Sequence, residues 1–258
     1  MTKLTILYAT RGGMGDVGKF AVAYAQQAGV QVRAVALSDE SVDWKPVSSN
    51  LACSYVATDP KDIGADNIDV TNPLLKEIAS KALKEAGVTK IDIASPEAQE
   101  LLRKELEGAD AVVACLGSRQ SPTVSRWCQL GAEKVTAAMR LAGVSRLVIL
   151  SSFGIGEDFM RTSFISVIWA CLLRTALRRA LIDMRAAEKV VIESEADYLL
   201  VRPVGLTPEE PESGQWKLLT KLPRAWLKMS IAKGDVAKYM LKEALSPTLS
   251  RMAVTIGQ

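Results

Sequence analysis

Glycines at positions 12, 15 and 18 lie between an apolar run and an amphipathic one, and this arrangement constrains the fold more than any other feature of the chain. Leu4-Thr5-Ile6-Leu7-Tyr8 reads as a buried strand. It passes through Ala9-Thr10-Arg11-Gly12-Gly13-Met14-Gly15-Asp16-Val17-Gly18 into residues 19–28, which read as a helix stopped by Gly29. Residues 30–37 supply the next strand and complete a βαβ unit. Lacking Cβ atoms, such a turn lets backbone N–H groups approach a pyrophosphate, and the helix N-terminus behind it adds partial positive charge. The spacing therefore predicts a nucleotide-binding turn made by Arg11, Gly12, Gly13, Met14, Gly15 and Gly18. A register on positions 9, 12 and 15 fits almost as well. A flavodoxin-like loop for FMN would need hydroxyl donors through the turn, and only Thr10 offers one.

The alternation continues to the C-terminus. Residues 38–71 read as turns with a short strand near 51–56, followed by a helix over 73–86 closed by Gly87. Lys90-Ile91-Asp92-Ile93 reads as a buried strand, and Ser95-Pro96-Glu97 opens a helix to about Glu107. Ala111-Val112-Val113-Ala114-Cys115-Leu116 is uninterruptedly apolar, as strands covered on both faces are. A helix over 125–142, a strand over 146–150, a helical region over 161–194, a strand over 198–201, a helix over 235–244 and a strand over 252–256 follow. The fold class expected is α/β, a doubly wound, mostly parallel sheet with right-handed crossovers. At 258 residues the chain suits a single domain, with an insertion at about 40–85 and a small substrate-side region in its C-terminal part.

Several function classes are disfavoured. A net charge of +3 is too small to argue for nucleic acid or a membrane surface. The longest apolar run, 164–173, is too short to span a bilayer, and Met1-Thr2-Lys3 leads straight into the first strand without a signal peptide. Cys53, Cys115, Cys128 and Cys171 lack metal-ligand spacing and read as buried free thiols, which points to the cytoplasm or another reducing compartment. The absence of histidine removes the commonest general acid/base and metal ligand, and no metal site is expected.

Taken in order, these segments resemble the atypical short-chain dehydrogenase/reductase superfamily, in its NAD(P)H-binding group similar to biliverdin-IXβ/flavin reductase. The resemblance is carried by the glycine turn, Asp92-Ile93, Glu107-Gly108-Ala109-Asp110-Ala111-Val112-Val113, Leu116-Gly117-Ser118-Arg119, Ser121-Pro122-Thr123 with Gly131-Ala132-Glu133-Lys134-Val135, Ser151-Ser152-Phe153-Gly154, and Tyr198-Leu199-Leu200-Val201-Arg202-Pro203 with Glu188 and Ser194. It implies a Rossmann-type NAD(P)-binding fold over most of the chain; the stretch 40–85 has no counterpart. It also implies roles. Asp92 and Ile93 would flank adenine, Leu116, Gly117 and Ser118 would meet ribose, and Arg119 would hold a phosphate or an anionic substrate. Ser151 and Ser152, at a strand end, would orient the nicotinamide amide or a substrate carbonyl, with Ser152 ahead, and Pro203 and Val204 would line the nicotinamide face.

Cofactor choice stays balanced in the residues. Ser38 with Arg33 or Arg11 would favour NADP, Asp39 would favour NAD, and family habit tips the expectation to NADP. The departures from the family weigh more. Relatives with a Tyr-x-x-x-Lys pair would place it near Ala180 and Met184, and neither side chain moves a proton. Relatives with histidines have Met184 and Gly205 in their place. Asp183 and Glu188 are expected to pair with Arg178, Arg179 or Arg185, and Arg202 to be structural. The expected function is an NAD(P)H-dependent reductase passing hydride to a flavin, a quinone or a similar conjugated acceptor, for which water can supply the proton. The alternative is a non-catalytic NAD(P)-binding redox sensor or assembly factor. The expected partner is a small-molecule acceptor, without nucleic acid or stable membrane insertion, and the sequence leaves oligomerisation open.

Overall fold

A computed structural model describes residues 2–9, 13–38, 87–117, 126–155, 178–207, 216–218 and 230–258. The chain alternates in type throughout. Strand β1 (Lys3–Ala9) leads to helix α1 (Gly13–Gln27) and β2 (Gln31–Ser38), then β3 (Val88–Asp92), α2 (Ala98–Leu106), β4 (Ala111–Cys115), α3 (Trp127–Ala142) and β5 (Arg146–Leu150). Helix α4 (Arg178–Glu193) precedes β6 (Asp197–Pro203) and the short strands β7 (Gly205–Thr207), β8 (Lys217–Leu218) and β9 (Ser230–Ala232). Helix α5 (Lys233–Leu245) and β10 (Met252–Gly257) end the chain.

The main sheet runs β3-β2-β1-β4-β5-β6-β10-β8, parallel except where β8 meets β10. Strand alternation divides its side chains between two cores. Leu4, Ile6, Tyr8, Val113, Cys115, Val148 and Leu199 pack on the face covered by α1 and α5. Leu7, Val112, Ala114, Leu147, Ile149 and Leu200 pack on the face covered by α2, α3 and α4. Burial on both faces is why β4 is apolar throughout and why its neighbours are largely so. Apolar periodicity fixes the helices to the sheet. In α1 it is Val17, Phe20, Ala21 and Ala25, and in α2 it is Ala98, Leu102 and Leu106.

Gly29 and Gly143 follow α1 and α3 with φ of 69° and 72°, the left-handed geometry that ends a helix and favours glycine. Three differences from the sequence expectation stand out. Helix α1 starts at Gly13, six residues before the predicted start at Lys19, so the glycine turn itself winds into the helix. The strand expected at 90–93 lies at a sheet edge, with Lys90 exposed. Strands β7 and β9 pair in parallel as a separate two-stranded sheet that no period announced. The predicted elements between residues 39 and 86, and those between 156 and 177, lie outside the described residues.

Candidate functional site

The strand order reverses between β1 and β4, since β2 and β3 continue on one side of β1 and β5 and β6 on the other. Open α/β sheets form a crevice at the carboxyl ends of strands at such a point. Here its walls are the end of β1, which feeds α1, and the end of β4 with Leu116 and Gly117. A Cβ at Gly18 would lie 2.5 Å from Tyr8 Cβ and 3.3 Å from Cys115 Cβ. Gly18 thus lets α1 lie against both walls at once, and its N-terminus opens at the crevice. Gly13, Met14 and Gly15 form the first turn of the helix. The clash a Cβ would make at Gly18 lies in the seam between α1 and the sheet, while the helix N-terminus at the crevice is the kind of place where open α/β folds receive anions. Arg11 and Gly12 lie outside the described residues.

Ser38 and Asp92 are neighbours across the ends of β2 and β3. Ser38 is buried, and its carbonyl accepts from the Ile93 amide at 2.9 Å. Asp92 Oδ1 accepts from the Ala94 amide at 3.0 Å, an Asx turn that holds the carboxylate at the sheet's carboxyl end. The Ile93 side chain is wholly buried in the core facing α2, so only its backbone reaches the edge. Leu116 is likewise buried, against Gly131 of α3. Ser118 and Arg119 lie outside the described residues.

On the other side of the crevice the backbone of the serine turn extends the sheet. The Ser151 amide donates to Val201 O at 2.7 Å, and the Phe153 amide to Pro203 O at 3.0 Å. Ser151 is buried, and its hydroxyl donates to Glu188 Oε1 at 2.5 Å. Arg202 donates from Nε to Oε1 at 2.9 Å and from its terminal nitrogen to Oε2 at 2.7 Å. Both oxygens of Glu188 are therefore engaged in one buried network. Glu188 was expected to pair with an arginine of its own helix; instead the fold places Arg202 of β6 beside it, in a two-pronged ion pair. Asp183 reaches across to α3, where Oδ2 accepts from the Cys128 amide at 2.9 Å and Oδ1 from the Gln129 amide at 3.0 Å, capping that helix. Arg202 has the structural role expected of it.

A small cavity opens beside this network, lined by Leu116, Cys128, Ser151, Met184, Ala187 and Glu188 among others. Met184 contributes a thioether to the lining. Ser152 is half-buried and donates to Phe153 O at 3.3 Å, a weak bond that leaves its hydroxyl less committed than that of Ser151. Pro203 and Val204 are buried, and the Val204 amide donates to Ile256 O at 3.1 Å. Burial pushes the Tyr8 phenol and the Cys115 thiol well above their ordinary values. Neither is poised to exchange a proton near neutral pH.

Sequence reasoning missed a cluster beside the start of α1. Asp16, in the first turn of α1, accepts from Lys233 Nζ at 2.7 Å and pairs with Lys19 at 3.6 Å, and all three are buried. Asp16 and Lys233 are 217 residues apart, so no local pattern could have joined them. Among the described residues no group of histidine, cysteine and carboxylate side chains could hold a metal ion, and no helix is long and apolar enough to cross a membrane.

A family model for NAD(P)H-binding proteins matches residues 64–247, about seven-tenths of the chain. The chain belongs to this NAD(P)H-binding family. The match begins after the glycine turn. Solved structures share the fold. A short-chain dehydrogenase/reductase from Veillonella parvula, solved in complex with NADP, is 15% identical, with 100% of this chain and 94% of that chain covered and a TM-score of 0.63. ChuY, an anaerobillin reductase from Escherichia coli O157:H7, is 17% identical, with 99% and 96% covered and a TM-score of 0.62. The oxidoreductase YlbE from Lactococcus lactis is 19% identical, with 100% and 91% covered and a TM-score of 0.61. At these identities the likeness is one of fold. No curated protein matches the sequence significantly. The expected Rossmann-type fold and the nicotinamide dinucleotide cofactor are thereby borne out.

Proposed function

We propose that this protein is an NAD(P)H-dependent reductase that passes hydride to a flavin, a quinone or a similar conjugated acceptor. The observation that carries the reading is the lining of the cavity beside the serine turn. Met184 lies where a proton-donating residue of related enzymes would sit, and both oxygens of Glu188 are taken by Arg202 and Ser151. Carbonyl–alcohol chemistry needs a positioned acid, and the described lining supplies no lysine, tyrosine or histidine. A conjugated acceptor does not need one, because its reduced form takes its proton from water.

The glycine turn with Gly13, Met14, Gly15 and Gly18 would hold the diphosphate, Ser38 and Asp92 the adenosine side, and Gly117 the ribose. Arg11, Gly12, Ser118 and Arg119 would complete that set. NADPH is the favoured form, with NADH the alternative. When bound, the reduced nicotinamide supplies the hydride. Ser152 orients the nicotinamide amide or the acceptor. Ser151, fixed on Glu188, sets the turn that carries Ser152, and Pro203 and Val204 back the ring. Catalysis is then chiefly approximation and orientation of two planar rings. ChuY's name as an anaerobillin reductase supports the reductase class.

The test is oxidation of NADPH and NADH, followed by absorbance, with FMN, menadione and dichlorophenolindophenol. Turnover above the uncatalysed rate with one of them is expected. Coenzyme binding without turnover on any would replace this reading with a non-catalytic redox sensor or assembly factor.

A further inference from the structure

The buried trio of Asp16, Lys19 and Lys233 carries two ammonium groups on one carboxylate, leaving one positive charge in excess. Three exposures decide its character: Asp16 is 4%, Lys19 8% and Lys233 3% accessible. Buried charges without a local counter-charge are costly, so an excess cation in such a place needs a reason. Its position supplies one. Asp16 belongs to the first turn of α1, inside the glycine motif, and Lys233 is the first residue of α5. The Lys233 side chain thus reaches from the first residue of α5 to the first turn of α1, whose N-terminus already carries partial positive charge. Asp235, two residues beyond Lys233, is also buried; its Oδ2 accepts from Gln258 Nε2 at 3.2 Å, and its Oδ1 has no hydrogen-bond partner among the described residues. Burial also holds the Lys19 ammonium below its ordinary value, so a further anion nearby would relieve it.

We propose that Lys233, acting through Asp16 together with Lys19, is a positioning residue for the dinucleotide diphosphate: it fixes the first turn of α1 and supplies the positive charge that the diphosphate completes. The inference rests on the glycine turn being the diphosphate site. Asp16 alone would repel the ligand; two ammonium groups on it reverse the sign. Lys233 also continues directly from β9, which pairs with β7 just after Pro203-Val204. The bridge thus ties the diphosphate turn to the nicotinamide side of the site.

The test is calorimetric titration of wild type, Lys233→Met and Lys233→Arg with NADPH and with ADP-ribose, at low and moderate salt. Melting of each protein without ligand is measured alongside. Lys233→Met is expected to weaken both ligands about tenfold, the scale of one charged hydrogen bond. It should also flatten the salt dependence, because one screened attraction is gone, and Lys233→Arg should restore most of both. If Lys233→Met does not fold, Lys19→Met serves, with the same expected loss of affinity and salt dependence. A folded variant that binds both ligands as wild type does, or binds more weakly with the salt dependence intact, overturns the proposal. Wild-type protein that binds neither ligand would instead overturn the assignment of the turn itself.

Discussion

Replacing Gly18 by alanine separates a glycine required by packing from an incidental one. The added Cβ would stand 2.5 Å from Tyr8 Cβ, where ordinary contact begins at 3.4 Å, a shortfall of about 0.9 Å. It would also press on Cys115 Cβ at 3.3 Å. Both neighbours are Cβ atoms of central strands and cannot swing aside as a side-chain tip would. Overpacking of this kind costs about 1–3 kcal/mol, and the fixed neighbours place the cost near the upper end. Alanine returns about 1 kcal/mol through helix propensity. The expected net loss is about 2 kcal/mol, or roughly 4–8 °C in melting temperature for a chain of this size. Because α1 must lift from β1 and β4, its N-terminus moves off the crevice and NADPH affinity falls as well. Gly29→Ala is the control. Its φ of 69° strains alanine by about 1–2 kcal/mol, but open space surrounds it, so stability falls and NADPH affinity does not. Differential scanning calorimetry and titration read both quantities. A Gly18→Ala protein that melts at or above the wild-type temperature and binds NADPH normally would refute the reasoning.

Three further outcomes are expected. Glu188→Gln removes the carboxylate charge from the buried two-pronged pair with Arg202 and should cost about 3–5 kcal/mol in chemical denaturation, while a Glu188→Leu, Arg202→Met double variant should recover part of that loss; equal stability of single variant and wild type would contradict the network. Asp183→Ala removes the cap of α3 and should cost about 0.5–2 kcal/mol, with faster hydrogen exchange at the Cys128 and Gln129 amides as the local signature. Because burial raises the Cys115 thiol and the thiolate is the reactive form, iodoacetamide at neutral pH should leave Cys115 unmodified in the native protein and label it after denaturation. Peptide mass spectrometry reads the site, and rapid native labelling there would contradict its burial.

The sheet was legible in the sequence because strands covered on both faces read as largely apolar runs. The strand predicted at 146–150 coincides with β5, and the all-apolar run 111–116 contains β4, which ends one residue earlier at Cys115. Three- and two-residue strands carry no period, so β7, β8 and β9 left no signal. The start of α1 was read late because glycines lower helix propensity, whereas packing on Tyr8 and Cys115 overrides it. Charge partners were the least legible part. Local spacing suggested pairs within one helix for Asp183 and Glu188. The fold instead offers Glu188 the guanidinium of β6, and it also sets Asp183 on the bare amides of α3. The Asp16–Lys233 bridge joins the two ends of the chain and exists only once α1 and α5 lie side by side on the sheet.

The central claim is that the β1–α1 turn receives the diphosphate of a nicotinamide dinucleotide. A crystal structure of the protein grown with NADPH tests it most directly. The account predicts the diphosphate at the N-terminus of α1, within hydrogen-bonding distance of backbone amides in the turn, with the nicotinamide toward Ser152 and Val204. Coenzyme bound elsewhere while this crevice is filled by the protein's own side chains would contradict it.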